Sequence, residues 1–406
     1  MTPAELANMS AFQWVIATVK EPIMWARDTN ETWLLNPPLR YIVNNQHLKF
    51  IEDHTSSVSA LSLGSAYKPL AGEPLRGGKI LVERHRDRGI GDHLFMTGIF
   101  KLLHHLTGNT CQIYQYALHT RSAWLHGCPW LASETCLTGP LCYDTLHAYD
   151  HHWFVDQATE YTSEHDQLNV YDALVKSIGL RPETIADEYK RPYVTVMPDD
   201  EKKRDTFFNR VYRTRGLDLR TAKYSIVSPL CNSKLRSIPY TTSLTLIQEL
   251  AKRGPVIVLG DDNNGLMPSA GVPYLKFKET IEHLSSTNKQ IINLIGNVPP
   301  RLAIAVVARA QYLVTPDTGL LYVAQGLRVP AVSIWGPHNP FVRLGYDTAY
   351  MKLAIHKTET CRNSPCYAYA GWPIEKCPRG IDQVVCEPLL AVTSKEILDK
   401  IETICG

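Results

Sequence analysis

The sequence predicts an α/β protein built from two doubly wound lobes, and three observations favour that fold class. The first is the length of 406 residues, which is long for a single core. The second is a sequence pattern, starting at Lys79, in which short β-rich runs alternate with amphipathic helical segments, as in βαβ units. The third is a fresh start of the same alternation at Tyr224, after the polar stretch 217–223 that we interpret as a hinge.

The first lobe opens with a strand, a loop and a helix. The run "KILVER" is the strand, "HRDRGIGD" is the loop, and "HLFMTGIFKLLHHL" carries leucines and phenylalanines at helical spacing. Weaker alternation follows in "CQIYQYAL", "HHWFVD" and the helical "LNVYDALVKSIGL", and then a long charged helix, "DDEKKRDTFFNRVYRTRG". Residues 1–75 show no sustained period, and we interpret them as an extension that leads into the lobe rather than as a domain.

The second lobe repeats the pattern more clearly. We expect strands at "YSIVSPL", "PVIVLG", "QYLVTP" and "PAVSIWG", separated by helices at "TTSLTLIQELAKRG", "PPRLAIAVVARA" and "DTGLLYVAQGL". The predicted domain organisation is an N-terminal extension at 1–75, a first lobe at 76–215, a second lobe at 216–350, and a cysteine-rich tail with a C-terminal helix at 351–406.

Charge and hydropathy bound the class of partner. The formal net charge is +2, so no global field draws the chain to nucleic acid or to an anionic membrane, although a local basic patch stays open. No run of about 18 uncharged apolar residues occurs, and the N-terminus lacks a basic start followed by an apolar core. We therefore expect a cytoplasmic protein without a transmembrane segment.

Asp317-Thr318-Gly319 follows an apolar run, and three interpretations compete for it. An aspartic protease needs two such carboxylates side by side in an all-β setting, whereas this triplet is single and opens a helix between buried strands. Asp317 is instead well suited as a helix N-cap, with the N–H groups of Thr318, Gly319 and Leu320 able to hold a phosphate. Whether the Asp only caps and the Gly only packs stays open.

Two other loops carry candidate residues. In "RDRGIGD" the glycines form an incomplete GxGxxG, but Asp92 stands at the start of a helix on the carboxyl side of the first strand, where ligands bind in open α/β sheets. In "SPLCNSKLRSIPYTTSL" either Lys234 or Arg236 could reach a phosphate, although surface loops often carry cations for solubility alone.

The ten cysteines fall into two groups. Four of them lie in the tail, where a tetrahedral zinc ion competes with free or disulfide-bonded thiols because paired CxxC spacing is missing. We interpret the others as packed thiols. The four tail cysteines are Cys361, Cys366, Cys377 and Cys386.

Together these segments resemble glycosyltransferase family 9, the ADP-heptose:lipopolysaccharide heptosyltransferases. The residues that carry the resemblance are "ILVERHRDRGIGDHLFMTGIFKLL", "HDQLNVYDALVKSIGL", "SPLCNSKLRSIPYTTSLTLIQEL", the stretch from Asn293 to Pro340, and the cysteine-rich end. The resemblance covers roughly residues 79–404, and its last third is the most specific. It implies the GT-B fold, in which two Rossmann-like lobes face each other across a cleft.

The resemblance also implies roles for individual residues. Asp92 would be the general base of an inverting, metal-independent transfer from a nucleotide sugar to an acceptor hydroxyl, with Arg88, Gly91 and His93 on the acceptor side. The start of the helix after Asp317 and the cations Lys234 and Arg236 would bind the donor diphosphate. The turn at Asn297 and Val298 would lie along the nucleobase. These donor residues would be Lys234, Arg236, Gly260, Asn297, Val298, Asp317, Thr318, Gly319, Leu320 and Tyr322.

The sequence departs from the family pattern in three places. Tyr322 stands where the family has a His, and a phenol carries no positive charge near pH 7. Arg236 stands where the family has a Lys, and residues 1–75 precede the usual start.

The resemblance implies ADP-heptose as the default donor and no required cofactor, with other nucleotide sugars left open. The acceptor could be a membrane glycolipid, reached by peripheral association at the inner membrane face, a protein, or hydroxymethylated viral DNA in a host cytoplasm. An inactive sugar-nucleotide-binding relative is the competing hypothesis.

Overall fold

The computed structural model describes most of the chain. The described residues are 14–26, 32–35, 39–44, 52–60, 77–83, 89–117, 119–133, 136–137, 141–155, 167–231, 235–260, 274–296, 298–366, 377 and 386–405.

Internal contacts divide the chain into two compact units. The first comprises 1–88, 96–165 and 170–190, and the second comprises 89–95, 166–169 and 191–406. The charged helix that the sequence analysis placed in the first lobe therefore lies in the second unit, with the change near residue 190 rather than 215. Its buried Asp200 forms an ion pair with the Arg301 guanidinium, and this pair ties the helix to the second unit.

The N-terminal part of the first unit consists of strands that the sequence analysis did not predict. One sheet has three antiparallel strands in the order β4-β1-β5, and β2 pairs with β3 as a separate two-stranded sheet. These strands are only four to six residues long, and such short runs carry no sustained alternation that would predict them. The bounds are β1 Trp14–Val19, β2 Ile23–Ala26, β3 Thr32–Leu35, β4 Arg40–Asn44 and β5 Thr55–Ala60.

The predicted α/β pattern of the first unit forms a parallel three-stranded sheet in the order β7-β6-β8. Ile80, Leu81 and Val82 of the central strand are fully buried, as expected for a parallel strand covered on both faces. The strands are β6 Gly78–Glu83, β7 Cys111–Tyr116 and β8 His151–Phe154; the helices are α1 Ile90–Leu106, α2 His119–Leu125 and α3 Val170–Ser177, and helix α1 begins within the second unit.

The second unit is built on a six-stranded parallel sheet in the order β11-β10-β9-β12-β13-β14. Counted from β9 this is 3-2-1-4-5-6, the strand order of the Rossmann fold, and the order reverses between β9 and β12. The predicted fold class is therefore confirmed. The strands are β9 Ser225–Val227, β10 Val256–Val258, β11 Ile291–Asn293, β12 Tyr312–Pro316, β13 Ala331–Trp335 and β14 Ala354–His356.

Helices surround this sheet and bury an aliphatic core against it, which includes Leu246, Val258 and Val314. None of the helices in the described ranges has the length and hydropathy needed to cross a bilayer. The helices are α4 Pro198–Arg215, α5 Tyr240–Ala251, α6 Tyr274–Thr287, α7 Pro300–Val307, α8 Gly319–Leu327, α9 Pro340–Leu344, α10 Thr348–Lys352, α11 Glu387–Leu390 and α12 Ser394–Cys405.

Candidate functional site

Three loops of the second unit meet at the carboxyl edge of its sheet. Strands β9, β12 and β13 are neighbours, and Pro316 at the end of β12 lies opposite Ile334 of β13. The loops that follow these strands bring Arg236, Asp317 and His338 together. This edge borders the point where the strand order reverses, which is the usual ligand position in doubly wound sheets.

The Asp317 carboxylate is the centre of this cluster. It is 5% exposed, and its Oδ1 accepts a hydrogen bond from the Tyr322 hydroxyl at 2.5 Å. Its Oδ2 pairs with Nδ1 of His338 and lies 3.4 Å from Nη1 of Arg236. The same guanidinium nitrogen donates to the Asp317 carbonyl at 3.2 Å. The carboxylate is therefore held by groups from three separate loops or helices.

The charges of this cluster follow from its burial and its neighbours. Burial opposes the charge of Asp317, but His338 and the positive charges of Arg236 and Arg343 outweigh burial, so the pKa of Asp317 lies well below its usual range. Burial lowers the pKa of His338 to about 4, against the opposing effect of Asp317. Burial and the Asp317 charge raise the pKa of Tyr322. At neutral pH the cluster therefore holds an ionised Asp317, a neutral imidazole and a neutral phenol.

The prediction that Asp317 is the N-cap of the following helix is wrong. Thr318 occupies the position before α8, in extended backbone, and within the described part of the chain its side chain makes no capping hydrogen bond. The Thr318 hydroxyl pairs instead with that of Thr315 at 2.9 Å. Asp317 does not cap because arginine and imidazole groups occupy its carboxylate. The start of α8 still lies at the ligand-binding edge, so an anion site at Thr318, Gly319 and the half-buried Leu320 stays a prediction.

Gly319 and Gly91 interlock two helix starts within the second unit. A Cβ atom at Gly319 would lie 2.5 Å from the Cβ of Ile90, and one at Gly91 would lie 2.4 Å from the Tyr322 ring. Each glycine thus leaves room for a side chain from the other helix start. Packing alone is enough to require glycine at both positions.

Asp92 lies in the first turn of α1, as predicted, and differs from Asp317 in exposure. Its side chain is 16% exposed, and Oδ1 lies 3.8 Å from Nη1 of Arg343, whose side chain is 6% exposed. The Arg343 guanidinium lies 5.6 Å from the centre of the Phe95 ring, and that ring meets Tyr322 edge-on at 4.5 Å between centroids. Asp92 therefore keeps a partly open carboxylate beside a buried cation.

The remaining predicted residues lie in varied settings. His93 is fully buried, and Val298 is half-buried. Gly260 follows β10, where an added Cβ would make only ordinary contacts of 3.6 Å or more. Three predicted residues lie outside the described ones: Arg88, Lys234 and Asn297.

Two residues of this site, His338 in the cluster and Arg343 beside it, had no role assigned from the sequence. His338 belongs to the Gly-Pro-His block that carries part of the family resemblance, so the signal was present but no role was attached to it. Arg343 in α9 stands in "NPFVRLG", and nothing in that segment distinguishes it from a surface arginine. Its burial comes from tertiary packing alone.

Three of the tail cysteines lie within electrostatic reach of the fourth, Cys386. Burial raises the pKa of Cys386 to about 12, and the thiols of Cys366, Cys361 and Cys377 add to this effect. Among the residues that the structure describes, no group of three or more His, Cys, Asp or Glu side chains is placed to hold a metal ion. None of these four described cysteines is in a disulfide bond.

The family comparison matches the part of the chain that carries most of the cluster, although not Arg236. Residues 274–369 match glycosyltransferase family 9 (heptosyltransferase). This range includes Asp317, Tyr322, His338 and Arg343. The resemblance to family 9 that the sequence predicted is therefore confirmed over this range. A search of curated protein sequences finds no match.

Three solved structures share the fold. The E. coli ADP-heptose lipopolysaccharide heptosyltransferase II is 13% identical, with a TM-score of 0.56 over 80% of this chain and 98% of that one. A family 9 glycosyltransferase from Veillonella parvula is 13% identical, with a TM-score of 0.57 over 82% and 98%. TibC from enterotoxigenic E. coli, an iron-containing dodecameric glycosyltransferase, is 12% identical, with a TM-score of 0.54 over 97% and 91%.

Proposed function

We propose that this protein is an inverting glycosyltransferase that moves a sugar from a nucleotide-sugar donor to an acceptor hydroxyl, with Asp92 as general base. The observation that carries the proposal is the meeting of Asp92, Arg343 and the Asp317 cluster in the second unit. A partly exposed carboxylate stands there close to a helix start able to bind phosphate. The family 9 match covers residues 274–369, which include Asp317 and Arg343 but not Asp92, and it supports the donor side of this chemistry.

In the proposed reaction the acceptor oxygen attacks the anomeric carbon of the donor sugar. The acceptor O–H proton passes to Asp92 as the new C–O bond forms and the bond from the anomeric carbon to the diphosphate oxygen breaks. The nucleoside diphosphate leaves with the bonding electrons. The first N–H groups of α8 and the Arg236 guanidinium stabilise the charge on that leaving group, so the chemical step needs no metal ion.

ADP-heptose is the donor that we propose, since the solved E. coli relative is described as an ADP-heptose transferase. Gly260, Val298 and the predicted Asn297 would line the nucleobase side. The acceptor is a hydroxyl-bearing molecule, with a membrane glycolipid as the family default and a protein or hydroxymethylated DNA as alternatives. The net charge of +2 gives nucleic acid no particular support.

The test compares donor binding with transfer. Calorimetry with ADP-heptose should give saturable binding in wild type and in Asp92→Asn, while transfer to a panel of glycolipid, peptide and hydroxymethylated-DNA acceptors should fall at least 10²-fold in the variant. Asp347→Asn, in a carboxylate outside the cluster, is the matched control and should keep turnover. A fully active Asp92→Asn would remove the base assignment, and donor binding without transfer to any acceptor would favour an inactive relative.

We further propose a structural metal ion on Cys361, Cys366, Cys377 and Cys386. Four thiolates suit zinc or iron, the other three thiols lie within electrostatic reach of Cys386, and the fold relative TibC is described as iron-containing. Metal analysis of the purified protein should give about one zinc or iron per chain, and Cys386→Ser should lower that content while Cys231→Ser should not. Equal metal content in all three proteins would contradict the site.

A further inference from the structure

We propose that Arg343 is a positioning residue that holds the Asp92 carboxylate toward the Asp317 cluster. This inference rests on the proposed function, because it assigns Arg343 a place in the same transfer reaction. The juxtaposition that carries it is one buried guanidinium that forms an ion pair with Asp92 and acts electrostatically on Asp317, two aspartates at helix starts far apart in sequence. Arg343 stands in α9, Asp92 in the first turn of α1, and Asp317 directly before α8.

Burial makes the position of this guanidinium well defined. Arg343 is 5% exposed, and its guanidinium packs over the Phe95 ring at 5.6 Å. The Phe95 ring in turn contacts the ring of Tyr322, whose hydroxyl donates a hydrogen bond to Asp317. A buried arginine stacked on a ring has few rotamers available, so it presents a fixed direction to any carboxylate beside it.

The two aspartates use the positive charge differently. Asp317 is fully buried and already has His338 and Arg236 beside it, and Arg343 adds to the positive charge that keeps it ionised. Asp92 lies 3.8 Å from Nη1 of Arg343, which is an ion pair but longer than a normal hydrogen bond. At this distance the contact can orient Asp92 without a direct hydrogen bond from Nη1 to Oδ1.

Arginine suits this position better than lysine. A guanidinium has five N–H donors in a plane and stays protonated at any working pH, so it cannot compete with Asp92 for the acceptor proton. Its planar fork carries several separate N–H groups, so one guanidinium can interact with more than one carboxylate. We therefore expect Arg343→Lys to preserve the charge but lose part of the orientation.

The kinetic test separates positioning from donor binding. With ADP-heptose as donor, Arg343→Met should lower kcat between tenfold and a hundredfold, while the donor Kd from calorimetry changes less than threefold. Arg343→Lys should recover part of the lost kcat, and added guanidinium chloride at millimolar concentration should partly restore Arg343→Met. Arg328→Met, which removes the 2.7 Å ion pair to Asp347 outside the cluster, is the matched control and should keep the wild-type kcat.

A second measurement tests the Asp92–Arg343 ion pair through protein stability, without any enzymatic turnover. A double-mutant cycle of Asp92→Asn and Arg343→Met, followed by urea unfolding, should show a coupling of at least fivefold in the unfolding equilibrium constant. Two results would overturn the inference: a cycle without coupling, or an Arg343→Met variant whose donor Kd rises while kcat stays unchanged, since that variant would identify a donor-phosphate ligand. If wild type neither binds ADP-heptose nor transfers sugar, the proposed function fails, and the cycle still decides whether Arg343 holds Asp92.

Discussion

Two helix starts in the second unit carry an aspartate and a glycine, at residues 91–92 and 317–319, and the tertiary structure uses the two aspartates in opposite ways. Asp317 is buried and bound by Tyr322 and His338, whereas Asp92 is partly exposed and has Arg343 at 3.8 Å. A buried carboxylate with several partners is a structural centre, whereas a partly exposed one can be reached by a substrate. The comparison teaches that an Asp beside a Gly at the start of a helix does not by itself fix a role.

The largest expected difference between the two aspartates is in stability. Asp317→Asn leaves buried cationic groups without their carboxylate, so we expect a loss of about 3–5 kcal/mol in the free energy of unfolding. Asp92→Asn should cost less, about 1–2 kcal/mol, because its carboxylate is partly solvated and its ion pair is long. Urea unfolding followed by circular dichroism measures both. Similar losses in the two variants would remove the distinction.

The second expected effect concerns pH and His338. In the unfolded chain this imidazole takes up a proton near pH 6.5, whereas burial keeps the folded pKa at about 4. Between these values only the unfolded state binds the proton, so stability should fall as pH falls from 6.5 to 4, by about 3 kcal/mol in total from this group. Unfolding at a series of pH values should show a shallower fall in His338→Gln. An unchanged slope would show that His338 titrates normally.

The third effect tests the interlocking of the two helix starts. Gly319→Ala and Gly91→Ala should each cost about 1–3 kcal/mol, because the new methyl group overlaps Ile90 or the Tyr322 ring. Gly254→Ala is the control, since its nearest contact would be 3.7 Å from a carbonyl oxygen, and it should be close to neutral. Thermal unfolding measures all three, and Tyr322→Leu should relieve Gly91→Ala. A stabilised Gly91→Ala would contradict the packing.

The smallest effect concerns the Tyr322 hydroxyl. Tyr322→Phe removes one donor from Asp317, which keeps its other partners, so we expect a loss of about 1.5 kcal/mol in unfolding free energy. Tyr240→Phe is the control: its hydroxyl pairs with the neutral Thr280 at 2.9 Å, and about 1 kcal/mol or less should be lost. If Tyr322→Phe costs no more than this control, the hydroxyl contributes little to holding Asp317.

Much of the fold was predictable because hydrophobic period is a local signal. The strands β9, β10, β12 and β13 and the helices α5, α7 and α8 lie where alternation and helical spacing placed them, whereas α6, β11 and β14 were not predicted. The strands of residues 14–60 were missed, since they are short and carry no sustained alternation. The candidate site was predictable only in part: Asp92 and the residues near Asp317 lie close to strand ends, while the buried position of Arg343 has no local signal.

The sequence by itself determined the α/β class, the two lobes and the loops in which chemistry was expected, because apolar period, glycine and chain order are properties of neighbouring residues. Only the tertiary structure decided which groups bind Asp317 and which cation faces Asp92. Arg236, Asp317 and His338 are far apart in sequence and meet because β9, β12 and β13 are adjacent strands. The tertiary structure also explains the glycines at 91 and 319. A side chain at either position would overlap a residue of the other helix start, which is distant along the chain.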